Sequence, residues 1–118
     1  MNSQQSNILS ADQSAANGVV ERVYFSVHQL AVGEGDVRSR FKVAGFTLAA
    51  LQERDFPSES REDFRWVMEQ LTRHKSEGRT RAIEATMYRI KNSTGAKIAT
   101  RILDIYSKLQ AIRNCPVL

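Results

Sequence analysis

The segment Lys91–Ala99, KNSTGAKIA, gathers side chains suited to three different chemistries. Gly95 among basic residues suggests a loop that wraps its amides around phosphate. Thr94 and Lys97 stand one helical turn apart, the spacing at which a lysine can activate a hydroxyl. Asn92-Ser93-Thr94 is an acceptor sequence for N-glycosylation. Each reading fails on its surroundings. A phosphate loop needs a second glycine, a lysine directly after the last one and a buried strand in front. Here the preceding IEATMYRI reads as helix. The hydroxyl–lysine pair works only with further catalytic boxes on a much larger α/β scaffold. Glycosylation has no meaning for a protein kept in the cytosol. The residues do explain a helix start, with Ser93 or Thr94 predicted as its cap and Lys97 and Arg101 as a basic flank.

The other residues that could do chemistry are scattered. His28 and His74 fall on separate helical segments, without the H-x-x-x-H or C-x-x-C spacing that holds a metal. His28 is expected in the core with a hydrogen-bond partner. His74 is expected near a helix C-terminus, where positive charge complements the dipole. Glu62, Asp63 and Glu69 read as solvated acids that pair locally with Arg65 and Arg73. Cys115 is the lone cysteine; it cannot form an internal disulfide, and a free thiol suits a reducing cytosol. The chain is therefore expected not to be an enzyme, and to use no metal, cofactor or small-molecule substrate.

Charge is the more informative signal. Residues 1–72 carry seven Lys/Arg against ten Asp/Glu, whereas residues 73–118 carry ten against three, although the whole chain is only +4. Arg79, Arg81, Arg89, Lys91, Lys97 and Arg101 are predicted to form a basic face for an anionic partner. Arg38, Arg40 and Lys42 crowd the first turns of the second helix, where the dipole disfavours positive charge. Either they pair with acids of the first half, or they bind an anionic group. Base reading by a helix–turn–helix is a poor fit, because the last helix is too long and too apolar to lie free in a groove. Lys91, Lys97, Arg101 and Lys108 suit phosphate contact better than base contact.

These side chains must be positioned by helices. Residues 1–16 are polar and are predicted to form a flexible tail, leaving 17–118 as a single helical domain. Val20, Val23, Tyr24, Val27, Leu30 and Ala31 recur at three- and four-residue steps. Asn17 is predicted to cap that helix and Gly33 to end it. Asp36 then caps a second helix with Val37, Phe41, Ala44, Leu48 and Leu51 on its face. From Val43 this helix is apolar nearly all round and is expected to be central, or to join an oligomer interface. Phe56 precedes a proline and is predicted to tuck into the domain from a loop. Ser60 and Asp63 approximate a capping box for a third helix bearing Phe64, Val67, Met68 and Leu71. A fourth, from Arg79 to Lys91, turns Ile83, Met87 and Ile90 inward. The fifth carries the heptad seam Ile98, Ile102, Ile105, Leu109 and Ile112, widened by Ala99, Leu103 and Tyr106.

No segment alternates long enough to be a strand, and no apolar run is long enough to span a membrane. The N-terminal residues have neither the basic region nor the apolar stretch of a signal peptide. The expectation is an all-α, cytoplasmic bundle of about five helices. It would bind macromolecules, a protein partner or its own copies first, and nucleic-acid backbone through the basic C-terminal half as the alternative. The candidate surfaces are the two basic groups and the broad apolar sides of helices two and five.

Overall fold

Five α-helices and one 3-10 turn account for the described chain, residues 10–115 of a computed structural model. They are α1 (Ala11–Val32), α2 (Val37–Ala49), α3 (Ser58–Leu71), α4 (Gly78–Arg89) and α5 (Asn92–Arg113), with the 3-10 turn at Glu53–Asp55. The all-α class and the helix number agree with the sequence reading. No described residue lies in a strand, and no described helix is long and apolar enough to cross a membrane.

The first helix begins well before Asn17. Ser10 and Gln13 form a capping box: the Ser10 hydroxyl accepts from the Gln13 amide at 3.0 Å, and the Gln13 side chain accepts from the Ser10 amide at 3.3 Å. Ala16 is fully buried and Gln13 nearly so, while Asn17 is an exposed mid-helix residue. The part of the expected tail from residue 11 onward is thus helix, with Ser10 as its cap; residues 1–9 lie outside the described residues. Gly33 ends α1 as expected, its amide donating to Gln29 O at 2.9 Å. The reason is room rather than torsion, since a Cβ there would stand 2.4 Å from Gln29 O. Gly35, at φ +87°, makes the turn into α2, and the Asp36 carboxylate accepts from the Ser39 amide at 2.9 Å.

Helices α1 and α5 lie antiparallel along each other. At one end the Gln13 side-chain amide donates to Cys115 O at 3.0 Å; halfway along, the Tyr24 and Tyr106 rings meet at 5.8 Å. Ile98, Ile102, Ile105 and Leu109 are all fully buried, so the seam of α5 is core. Helix α1 also packs along α2, which touches α4 and α3 in turn. Helix α2 contacts three other helices, yet it is not buried all round: Val43 on its outer side is 40% exposed. The buried Ser26 hydroxyl donates to Ala44 O at 2.9 Å and ties the two helices together. Gly45 lets α2 approach α4 closely, since a Cβ there would stand 3.2 Å from Ile83 Cγ2.

Phe56 is fully buried, and its ring stacks on Phe64 with centroids 4.3 Å apart. Helix α3 starts at Ser58, two residues before the predicted cap, and Ser60 is buried with its hydroxyl on Pro57 O. The cap comes from another helix: Asp12 of α1 accepts from the Ser58 amide at 3.2 Å and from its hydroxyl. Asp63, freed from any capping role, is held between Arg101 (3.3 Å) and Lys108 (2.7 Å) of α5 instead of pairing within α3. Arg65 pairs with Glu53 of the 3-10 turn.

Candidate functional site

The nine basic residues singled out in the sequence do not share one face. Arg79 donates to Ala49 O at 2.9 Å and Leu51 O at 2.8 Å, so it closes the C-terminal end of α2. Arg101 is half-buried, bound to Asp63 and lying over the Trp66 ring at 4.4 Å from its centroid. Lys97 sits beside it in a shallow cleft with Trp66, Thr100 and Asp104. Arg81 and Arg89 are exposed on α4. Lys42 lines a second shallow cleft that also holds Asp36 and Glu84.

Three of the nine do converge. Arg38 and Arg40 from α2 and Lys91 from the α4–α5 turn rim a groove of about 400 Å³. Its floor is apolar: Leu30 of α1, Val37 and Phe41 of α2, Ile90 between α4 and α5, and Ala96 and Ala99 of α5. Each element places its part for a local reason. The Gly33–Asp36 turn folds α2 back on α1 and brings Arg38 and Arg40 beside Leu30. Ile90, at extended torsions after α4, turns the chain so that Lys91 and the start of α5 face α2. Gly95 is buried against the Phe41 ring, where a Cβ would stand 3.5 Å from the ring edge.

Among the described residues the rim cations form no ion pair. Arg38 donates through Nη1 to Tyr88 O at 3.0 Å, and Arg40 through Nε to Gly35 O at 3.2 Å. Both contacts go to neutral carbonyls and fix the guanidinium groups. Among the described residues the ion pairs are Arg65–Glu53, Arg101–Asp63 and Lys108–Asp63, so the salt bridges considered for Arg38, Arg40 and Lys42 are not formed. Asp36 lies nearby, but its carboxylate is engaged by the Ser39 amide and hydroxyl. Those bonds, helped by the Arg38 charge, hold its pKa below the ordinary 3.8. Helix α5 adds to the positive end, since Lys91 stands at its N-cap without a side-chain bond. Ser93 and Thr94 fall within the first turn and cap nothing, contrary to expectation.

Both histidines give little chemistry. His28 is exposed, not in the core, with its ring tilted against Tyr24 at 6.1 Å. The His74 amide donates to Thr86 Oγ1 at 3.0 Å where α3 ends. Cys115 is exposed. Among the described residues no group of three or more His, Cys, Asp or Glu is arranged to hold a metal ion.

Sequence reasoning missed the floor of the groove. Leu30, Phe41 and Ile90 were legible as apolar positions but belong to three separate elements, and no spacing along the chain reports that they converge. Ala99 was the nearest signal, as a residue that broadens the stripe of α5. No family model matches this chain, and neither a curated protein nor a solved structure is significantly similar to it.

Proposed function

We propose that this is a protein-binding protein of adaptor or regulatory type, whose working surface is the groove between α1, α2 and α5, and that its partner offers an acidic segment with apolar side chains. The observation that carries this reading is the pairing of an apolar floor with three cations, Arg38, Arg40 and Lys91, that have no carboxylate partner among the described residues. An apolar cleft gains by covering its floor, at roughly 25 cal/mol per Å² removed from water. A cationic rim adds choice of partner and speed of encounter more than affinity.

Contact with nucleic-acid backbone is the second reading, and one observation favours it. Tyr88 is 83% exposed on α4 among Arg81, Arg89 and Arg38, the kind of side chain on which a base stacks. Against it, Glu84 and Asp36 interrupt that surface, and Arg79 and Arg101 are already occupied within the fold. Self-association is a further proposal, on the exposed Phe25, Val32 and Val43; light scattering of the full chain reads it directly.

The test is binding of labelled acidic peptides, and of generic RNA and single-stranded DNA, at two salt concentrations. The triple variant Arg38→Gln, Arg40→Gln, Lys91→Gln is expected to lose at least about tenfold in peptide affinity while keeping its melting temperature. Unchanged peptide binding by a folded triple variant sinks the reading. Tight oligonucleotide binding that weakens steeply with salt would put the second reading in its place.

A further inference from the structure

The apolar stripe of α5 runs on past Ala99, the last residue of α5 that lines the groove. On the side of α5 that faces α1, Leu103 follows one turn later and Tyr106 two, and the Tyr106 ring meets Tyr24 of α1. Leu103 and Tyr24 are each 51% exposed. Two rigid antiparallel helices therefore hold large apolar groups at the surface in line with the groove, a feature that marks interaction sites. Cations are confined to the other end. Arg101 and Lys108 of the same helix are turned to Asp63 on its opposite side. The strip from Ala96 to Tyr106 is about 15 Å long, a little under three helical turns at 1.5 Å per residue.

We propose that this strip receives an amphipathic α-helix from a partner protein, with its apolar side chains along Ala99, Leu103 and Tyr24 and its acidic residues over Arg38, Arg40 and Lys91. The proposal rests on the groove being the protein-binding surface and adds the conformation and register of what it binds. A helix fits better than an extended segment for two reasons. Extended peptides are captured by adding to a sheet edge, and the described residues form no sheet. A partner helix repeats its apolar side chains at the pitch with which α5 presents Ala96, Ala99, Leu103 and Tyr106. Nucleic acid fits worse, because its charge is continuous whereas the cations here occupy one end.

The full chain is titrated with two 18-residue peptides of identical composition. One carries Leu at positions i, i+4, i+7 and i+11 with three Glu at one end; in the other the apolar period is broken. The first is expected to bind at least about tenfold more tightly and to gain helical circular dichroism on binding. Leu103→Glu changes an exposed position and is expected to keep the melting curve while weakening that peptide about tenfold. Equal binding of the two peptides, or no effect of Leu103→Glu, overturns the helix proposal. If the Arg38, Arg40, Lys91 triple variant still abolishes binding in that case, the acidic-segment reading survives alone. If the triple variant binds both peptides as wild type does, both readings fall. Displacement of the first peptide by single-stranded DNA also overturns the proposal.

Discussion

Asp63 shows how much a single residue's role depends on its neighbours in space. On sequence it is one of three acids on a solvated helix face. In the fold its side chain is only 13% exposed and links α3 to α5 through Arg101 and Lys108. Its bond to Lys108 raises the lysine pKa above 10.5. That contribution is complete below 10.5 and is lost as the pH rises through the higher folded value. Because both cations keep access to water, the network is worth about 1 kcal/mol rather than the several expected for buried pairs. Asp63→Ala is expected to lower the stability in urea by about that amount, with Glu69→Ala as a control near zero. Equal effects for the two would show that Asp63 is the solvated acid the sequence suggested. The pairing was illegible beforehand because Asp63 lies 38 residues from Arg101 and 45 from Lys108, and no spacing along the chain links them.

Among the elements, helix bodies were legible and helix starts were not. The inward faces of α3 and α5 were read correctly because an apolar residue every three or four positions can be buried in only one way. The start of α1 was misplaced because the polar composition of residues 10–16 outweighed the Ser10–Gln13 capping box, a signal that was present. The start of α3 could not be found locally, since its cap, Asp12, is supplied by another helix. Two glycines separate these scales. Gly18 on α1 has open space where a Cβ would sit, whereas Gly45 on α2 faces Ile83 and Leu71 at 3.2 and 3.5 Å. Gly18→Ala is expected to stabilise by about 0.5–1 kcal/mol through helix propensity. Gly45→Val is expected to destabilise by about 1–3 kcal/mol by pushing α2 from α4. Thermal melts of the two variants check both signs; a neutral Gly45→Val would mean that the α2–α4 contact is loose.

For the molecule as a whole, the charge split between residues 1–72 and 73–118 proved a poor guide to where charge is available. Folding engages Arg79 at the end of α2 and Arg101 and Lys108 at Asp63, while Arg38 and Arg40, from the acidic part of the chain, join Lys91 at the groove. A site assembled from three helices and a turn leaves no motif, so the groove was visible in the sequence only as unexplained parts. Those parts were Arg38 and Arg40, two of the three cations at a helix start, and a stripe on α5 broader than a core seam requires. The most direct measurement is an amide-shift map of the full chain, titrated with an acidic amphipathic peptide. Shifts centred on Leu30, Phe41, Lys91, Ala96 and Ala99, and abolished by the Arg38, Arg40, Lys91 glutamine variant, are the predicted result. Shifts centred instead on Tyr88 and Arg81, or none at saturating peptide, would contradict the groove as the working surface.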